Sequence, residues 1–154
     1  MSIEIRTNTK NIDWQAVSDL LSFYGLCDYD AQTEQKIFEN SYAVAFVYDK
    51  EQLIGCGRAI SDGICQAAIY NVALREEYQG RQLGRAIIES LLEQVKGCTA
   101  ALYTHPKTVA MYEKFGFRRQ KTGMVIFEAG EEEVKRLEQV GFLLPQGYRF
   151  GDNA

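Results

Sequence analysis

Histidine, tryptophan and proline are scarce in this chain, whose 154 residues include 1 His, 1 Trp and 2 Pro. Its 4 cysteines form no C-x-x-C pair and no histidine cluster accompanies them, so we expect no metal site. Reduced and partly buried thiols are expected at Cys27, Cys56, Cys65 and Cys98. A cysteine nucleophile would need a neighbouring base, and His105 is the only histidine.

Long apolar segments are also missing. No run at the N-terminus resembles a signal peptide, and no segment approaches the length of a membrane-spanning helix. We therefore expect a cytoplasmic protein with no membrane partner. The net charge of -4 and the pI of about 5.1 argue against nucleic acid as a partner and are compatible with a cationic amine as substrate. The absence of a Gly-Lys-Ser/Thr sequence excludes a nucleotide P-loop.

The most informative stretch runs from Asn71 to Ala86 and predicts a strand, a tight polar turn and a helix. The strand is the short apolar segment that ends at Leu74. The helix extends from Leu83 to Lys96 and carries an apolar face at helical spacing. That face consists of Leu83, Ala86, Ile87, Leu91, Leu92 and Val95.

The turn between them has the composition of a phosphate-binding site. The first N–H groups of a helix have no partner inside the helix and form a positive pole that attracts phosphate. Gly80 and Gly84 would allow a ligand to approach the backbone, and Arg81 and Arg85 add positive charge. The alternative is an ordinary strand–turn–helix unit whose glycines serve packing.

The segment Tyr78–Ala86 resembles the acetyl-CoA loop of the GCN5-related N-acetyltransferases, the GNAT superfamily. The pattern of that family is Gln or Arg, two residues, Gly, one residue, then Gly or Ala. Gln79 and Gly84 match its ends, whereas Gln82 replaces the usual middle glycine. A side chain at Gln82 needs room, and we expect its backbone to avoid the angles that only glycine adopts.

A second segment, Ala110–Phe117, resembles the late helix of the same family, in which a Tyr precedes a Gly-Phe that ends the helix. The two motifs occur in the family's order and at its usual separation. Together they extend the resemblance over roughly Tyr42 to Phe127, which is most of the chain.

The pattern before the turn predicts an antiparallel meander. The predicted elements are a strand at Ile3–Thr7, a helix capped by Asn11 or Asp13 and ending near Gly25, a loop and short helix within Leu26–Asn40, and strands at Ser41–Tyr48, Leu53–Ile60 and Cys65–Leu74.

After the turn, the chain predicts a parallel strand and more helices. The elements are a strand at Ala100–Thr104, a helix from Pro106 or Lys107 to Gly116, a hairpin of Phe117–Arg119 with Met124–Phe127, a helix at Glu131–Val140, and an aromatic tail through Tyr148 and Phe150.

The resemblance implies an α/β GNAT fold in one domain, residues 1–154. Its mixed central sheet would combine the antiparallel N-terminal meander with a parallel, splayed strand pair, flanked by helices. Residues from about 128 to 154 would be a C-terminal extension. Relatives are often dimers, so a homodimer is also expected from the resemblance.

The resemblance further implies that acetyl-CoA is the cosubstrate, with pantetheine paired like a strand beside the splayed strand. The residues that it assigns to acetyl-CoA are Val72, Ala73, Leu74, Gln79, Gly80, Arg81, Gln82, Leu83, Gly84, Arg85 and His105. The pyrophosphate would meet the N–H groups from Gln79 to Arg85. His105 occupies a position where many relatives carry an Asn that touches CoA, and it either contacts the cofactor or starts the helix.

In the implied reaction, an amine attacks the thioester carbonyl directly. The N–H of Val72 or Ala73 would stabilise the oxyanion. Tyr112 matches the tyrosine that protonates the leaving thiolate, since a phenol stays protonated at neutral pH. The alternative for Tyr112 is a core residue on a helix face.

No general base is evident, because Tyr70 and Asn71 occupy the strand positions where a carboxylate would serve. The remaining candidates are Asp62, Glu34 and Asp30, or a chain of waters leading to bulk solvent. Arg58 points either to a substrate anion or to solvent.

The sequence therefore predicts an N-acetyltransferase for a primary amine, with a small molecule favoured as acceptor. Two alternatives stay open: a CoA-binding sensing or scaffold module without efficient catalysis, and an acetyltransferase that acts on a protein amine.

Overall fold

The computed structural model describes residues 1–149, and the predicted aromatic tail residue Phe150 lies outside them. The chain forms two compact units, Met1–Leu102 and Tyr103–Ala154. A single domain over residues 1–154 stays a prediction.

The first unit is built on a mixed five-stranded sheet. Its strands are β1 (Ile3–Arg6), β2 (Ala43–Asp49), β3 (Gln52–Ser61), β4 (Gln66–Leu74) and β5 (Thr99–Ala101). The order is β1-β2-β3-β4-β5, with antiparallel neighbours up to β4 and a parallel β4–β5 pair. The predicted meander and parallel crossover are therefore confirmed.

Three helices of the first unit lie where the sequence predicts them. They are α1 (Trp14–Phe23), α2 (Ala31–Glu39) and α3 (Leu83–Gln94). Of the two predicted caps for α1, Asp13 is the one used, since its carboxylate accepts a hydrogen bond from the Ala16 N–H at 3.0 Å. Asp30 caps α2 in the same way, accepting from the Thr33 N–H at 2.8 Å.

Helices cover both faces of the sheet, which explains why β2 is apolar along almost its whole length. On one face, α1 and α2 enclose an aromatic cluster in which Phe46 lies 5.6 Å from Trp14 and 5.3 Å from Phe38, measured between ring centroids. On the other face, α3 packs on β2, β3 and β4.

The close approach of α3 to β3 depends on glycine. A Cβ atom at Gly57 would lie 2.9 Å from Ile87 Cγ2 and 3.0 Å from Leu91 Cδ1, both of which belong to α3. A Cβ atom at Gly55 would lie 3.0 Å from Ile87 Cδ1. These two glycines therefore let α3 lie directly on the strand backbone.

The second unit contains a 3-10 turn at Pro106–Thr108 and the helices α4 (Val109–Glu113) and α5 (Glu131–Gln139). α5 matches its predicted position, and α4 is shorter than predicted. Aromatic rings pack edge-on within this unit: Tyr103 lies 5.9 Å from Phe127 and 6.3 Å from Phe142 between ring centroids.

The predicted hairpin of Phe117–Arg119 with Met124–Phe127 is wrong, because no strand occurs between residues 102 and 149. A two-stranded hairpin needs an apolar surface to pack on, since it is only marginally stable alone. Met124 and Ile126 are 98% and 97% exposed and supply no such packing.

We expect Gly57→Ala to lower the free energy of unfolding by about 1–3 kcal/mol, because the added methyl group overpacks the β3–α3 contact. Urea denaturation measures the change. Gly84→Ala is the matched control: a Cβ there meets no atom within 4 Å, and alanine favours a helix. An undiminished stability of Gly57→Ala would show that α3 can move away from β3 at little cost.

Candidate active site

An open edge on β4 is the first component of the site. β4 pairs with β5 only over Gln66–Ala68, opposite Thr99–Ala101, although β4 itself continues to Leu74. From Ile69 onward, β4 therefore has β3 on one side and no partner from β5 on the other. This is the splayed strand pair that the sequence predicts.

The alternation of hydrogen bonds along β4 indicates which backbone groups face this open edge. The Arg75 N–H donates to the Ile54 carbonyl at 2.8 Å. In an antiparallel ladder, Ala73 then also directs its backbone groups to β3, while Val72 and Leu74 direct theirs to the open edge. Of the two residues predicted for oxyanion stabilisation, this pattern favours Val72 over Ala73.

A β-bulge at Asn71 sets this alternation. The pairing of β3 with β4 passes from Cys56–Ala73 to Arg58–Tyr70, so Asn71 and Val72 together lie opposite Gly57. Asn71 has a φ of 59°, in the left-handed region that asparagine tolerates better than most residues. Bulges of this kind are common beside active sites, where they redirect a side chain or end strand pairing.

The side chain of Asn71 joins the bulge to its surroundings. Its Oδ1 accepts from Arg58 Nε at 2.5 Å, and its Nδ2 donates to Cys27 Sγ at 3.2 Å. Arg58 also donates to Ser41 Oγ at 3.3 Å and lies 5.2 Å from the centroid of the Tyr70 ring. Arg58 therefore binds other groups of the protein, and its side chain is also partly exposed to solvent.

The start of α3 is the second component of the site. Within residues 1–149, the backbone N–H groups from Gly80 to Gly84 have no hydrogen-bond partner. Farther along the helix, the Ala86 N–H donates to the Gln82 carbonyl at 3.1 Å. These unpaired N–H groups form the positive pole of the helix, as a phosphate site requires.

The backbone N–H of Gln79, which the family resemblance assigns to the pyrophosphate, already has a partner in the protein. Its N–H donates to the Glu76 carbonyl at 3.1 Å, so the row of unpaired N–H groups begins at Gly80. Its side chain instead holds the turn in place: Nε2 donates to Tyr24 Oη at 2.9 Å and to the Leu74 carbonyl at 3.1 Å. The Tyr24 hydroxyl donates to the same carbonyl at 2.6 Å. The side chain of Gln79 therefore joins the end of β4 to the turn.

Gln82 immediately precedes α3 and has φ 65° and ψ 9°. These angles lie in the left-handed region that glycine favours, and they are not among the angles that only glycine adopts. The left-handed region admits other residues, but at a cost of about 1–2 kcal/mol. Gln82 thus adopts, with a side chain present, a backbone conformation that glycine reaches without steric cost.

Positive side chains flank the unpaired N–H groups. The guanidinium of Arg81 lies 5.6 Å from the centroid of the Tyr78 ring, and Arg85 pairs with Glu89 at 3.1 Å. Exposed ion pairs of this kind contribute little to stability, so the charge of Arg85 remains able to interact with an anion. A Cβ added at Gly80 or Gly84 would meet no atom within 4 Å, which leaves the surface of the turn open.

Tyr112 and His105 belong to the second unit. Tyr112 lies on α4, is 8% exposed, and its ring centroid is 5.8 Å from that of Phe117. Burial raises the pKa of Tyr112, so its hydroxyl stays protonated at neutral pH. His105 Nδ1 accepts a hydrogen bond from the Lys107 N–H at 3.1 Å. His105 therefore starts the helical segment, which is one of the two roles predicted for it.

The three carboxylates considered as general base lie in different environments. Asp62 accepts hydrogen bonds from the N–H groups of Ile64 and Cys65 in the β3–β4 turn, and these lower its pKa. The Asp30 pKa is lowered by its capping bonds to Thr33. Glu34 is fully buried, and burial raises its pKa. Of the three, only the environment of Glu34 favours the protonated carboxyl group.

Two negative findings concern the described part of the chain. Across residues 1–149, no three His, Cys, Asp or Glu side chains are grouped so that they could hold a metal ion. None of the helices in this range has the length and apolar character that crossing a bilayer requires.

Comparison with known proteins decides the family. Residues 40–119 match the acetyltransferase (GNAT) domain family, which is more than half of the chain and includes both components of the site. The chain belongs to the GNAT family. The predicted fold class is confirmed with it.

Individual relatives agree with this assignment. GCN5-related N-acetyltransferase 1, a chloroplastic protein of Arabidopsis thaliana, is 28% identical over 78% of this chain and 64% of its own length. Serotonin N-acetyltransferase 2, a chloroplastic protein of rice (Oryza sativa subsp. japonica), is 26% identical over 73% of this chain and 60% of its own length. The GNAT chain described here thus spans less than two thirds of these two relatives.

A solved structure shows the same fold. A probable acetyltransferase of unknown function from Staphylococcus aureus superimposes with a TM-score of 0.69 and 25% identity. The match covers 81% of this GNAT chain and 98% of the other.

We expect Gly84→Leu to weaken acetyl-CoA binding at least tenfold without loss of folding. The leucine meets no protein atom near its Cβ, yet it would occupy the space in front of the unpaired N–H groups. Calorimetric titration with acetyl-CoA measures the affinity. Gly84→Ala is the control and should bind normally, since the GNAT pattern accepts alanine there. Equal affinity of both variants would mean that this glycine only serves helix packing.

We expect Gln82→Gly to leave stability unchanged or raise it by up to about 1 kcal/mol. The substitution relieves the left-handed strain but adds the greater flexibility of glycine to the unfolded chain. Gln82→Ala keeps the strain and serves as control in the same urea titration. A clear loss of stability in Gln82→Gly would show that the glutamine side chain itself stabilises the turn.

Proposed function

We propose that this GNAT protein transfers an acetyl group from acetyl-CoA to the primary amine of a small molecule, by direct attack on the thioester. The observation that carries the proposal is the open edge of β4 beside the unpaired N–H groups of Gly80 to Gly84. An extended amide chain that ends in a pyrophosphate fits these two features together.

Each part of acetyl-CoA has a counterpart in the site. The pantetheine amides would pair with the backbone of Val72 and Leu74 along the open edge. The pyrophosphate would accept hydrogen bonds from the N–H groups at the start of α3, with Arg81 and Arg85 adding positive charge. The Leu74 carbonyl is already bound by Tyr24 and Gln79, so its N–H is the group that remains for pantetheine.

The chemistry then takes place where β4 leaves β5. The amine nitrogen attacks the thioester carbonyl, and the N–H of Val72 stabilises the oxyanion that forms. Collapse of this intermediate breaks the C–S bond and releases the thiolate. Tyr112 would protonate the thiolate, which its raised pKa suits because the phenol keeps its proton until it is needed.

The acceptor class is supported by charge and by one relative. The chain has a net charge of -4, which favours a cationic acceptor. The rice relative is described as a serotonin N-acetyltransferase, whose acceptor is a small amine. A protein amine is the alternative acceptor. A cytoplasmic location and a homodimer remain predictions.

A CoA-binding module without efficient catalysis is the second candidate. It is favoured by one observation: β4 carries Tyr70 and Asn71 where a carboxylate could act as base. A panel of small amines and lysine peptides, with release of free CoA thiol as the measurement, separates the candidates. Sustained turnover with any amine contradicts the binding-only function, and turnover with peptides alone contradicts the small-molecule acceptor.

We expect Tyr112→Phe to lower turnover by about 10²–10⁴-fold, the usual range for loss of a general acid, with acetyl-CoA affinity unchanged. Thiol release gives the rate, and calorimetry gives the affinity. Tyr42→Phe is the matched control, since Tyr42 is 54% exposed. Unchanged turnover in Tyr112→Phe would remove Tyr112 from the mechanism and leave it as a core residue of its unit.

A further inference from the structure

A polar cluster with one fully buried member lies between α2 and the bulge of β4. It consists of Glu34 on α2, Cys27 in the connection between α1 and α2, Arg58 on β3 and Asn71 on β4. We call these residues the Glu34 cluster. All of them belong to the first unit.

Glu34 is the unusual member of the Glu34 cluster. Its side chain is 0% exposed, and within residues 1–149 neither carboxylate oxygen accepts a hydrogen bond. Burial of an ionised carboxylate without a partner costs several kcal/mol, so such groups are rare in folded proteins. An unsatisfied buried group of this kind indicates a functional role or a missing partner.

Among residues 1–149, the neighbours of Glu34 supply only a weak donor, since the Cys27 thiol faces the carboxylate and lowers its pKa without a well-aligned hydrogen bond. The Arg58 guanidinium donates to Asn71 and Ser41 instead of to Glu34. The charged and titratable groups that face the carboxylate are Arg58 and the thiols of Cys27 and Cys56. Burial raises the Glu34 pKa, and Cys27 and Arg58 oppose this rise. Burial and the carboxylate in turn raise the pKa of Cys27 to about 11, so Cys27 stays a thiol at neutral pH.

The Glu34 cluster reaches the proposed reaction centre through Asn71. The Asn71 amide donates to Cys27 Sγ, and the thiol of Cys27 lies beside the Glu34 carboxylate. Asn71 is also the bulge residue that directly precedes Val72, whose N–H faces the open edge. Cys27 and Asn71 therefore link Glu34 to the strand at which the thioester would lie.

The Glu34 carboxylate itself is buried, but its polar neighbours reach the surface. Cys27, Arg58 and Asn71 are each half-buried, so they border solvent. Cys27 belongs to a connection without regular secondary structure, and its thiol lies beside the carboxylate. An acceptor that enters from the open edge would meet this side of the cluster.

We propose that Glu34 is the anionic subsite that receives the ammonium group of the acceptor and takes up its proton. This inference rests on the proposed acetyl transfer and names the base that β4 itself lacks. The missing hydrogen-bond partner of the carboxylate is then the substrate, a primary alkylammonium ion. Neither Asp30 nor Asp62 competes for this role, since both are engaged by backbone N–H groups.

The proton balance is complete with this assignment. The ammonium ion R–NH₃⁺ gives one proton to the Glu34 carboxylate, and the neutral amine forms the N–C bond. The C–S bond breaks, and the CoA thiolate takes the proton of Tyr112. The second proton lost by the nitrogen then passes to the Tyr112 phenolate and restores the phenol. Glu34 finally releases its proton to solvent, so that one proton is produced for each amide formed.

We expect Glu34→Gln to lower kcat/KM for phenethylamine by about 10²-fold or more, the range for loss of a general base, while acetyl-CoA affinity is unchanged. The pH profile should also change. The kcat/KM of wild type should stop rising with pH once Glu34 is ionised. The kcat/KM of the variant should keep rising up to the pKa of the amine itself, because only neutral amine reacts. Glu39→Gln, an exposed position on the same helix, is the matched control.

Stability gives a second measurement that needs no turnover. Because the folded pKa of Glu34 is raised, its protonated form stabilises the protein fully below the unfolded pKa, and this stability is lost as the pH rises through the folded pKa. At pH 8, Glu34→Gln should therefore melt higher than wild type, by about 2–4 °C for each kcal/mol recovered. Phenethylamine should raise the Tm of wild type and not of the variant.

The outcomes separate the inference from the function on which it rests. If wild type turns over and Glu34→Gln matches Glu39→Gln in rate and pH profile, Glu34 is not the subsite, and the acetyltransferase function stands. If wild type acetylates no amine, that function fails, and the phenethylamine-dependent Tm alone decides whether Glu34 binds ammonium. If Glu34→Gln fails to fold, Glu34→Asp takes its place. This variant should keep the plateau in the pH profile of kcat/KM and have a raised KM for phenethylamine. A KM equal to that of wild type would overturn the inference.

Discussion

The contact between α3 and the glycines of β3 governs the position of everything else in the first unit. Because Gly55 and Gly57 have no side chains, Ile87 and Leu91 press α3 onto the strand backbone. The start of α3 is thereby fixed near the end of β4, and the connection between them is a short turn. A helix held farther from the sheet would have its unpaired N–H groups displaced from the open edge. The proposed cofactor site is thus a consequence of core packing.

The sequence predicted most of this unit because its signals are local. The alternation in β1 to β4, the apolar face of α3 and the cap at Asp13 each act within a few residues. The hairpin after Phe117 was predicted wrongly from the same kind of signal. Alternation indicates a strand only where a surface is available to bury one side, and Met124 and Ile126 find none. Local pattern does not report whether that surface exists.

The candidate site was predictable in part. A motif match located the turn from Gln79 to Gly84, and the structure leaves its N–H groups from Gly80 onward without partners. It could not show that the side chain of Gln79 binds Tyr24, since these residues are far apart in the sequence and their contact depends on the folded sheet. Glu34 was one of three equivalent carboxylates in the sequence. Its environment became distinct only when α2 folded over Cys56 and Arg58 and removed it from solvent.

The bulge at Asn71 makes the orientation of β4 sensitive to the number of residues in the strand. One additional residue on β4 shifts the phase of the strand, so that Ala73 joins the core on the α1 side while Val72 contacts the α3 side near Gly57. Removing a residue between Ile69 and Ala73 would restore a regular ladder and exchange those orientations. An insertion or deletion in β4 would therefore also exchange the backbone groups that face β3 with those that face the open edge.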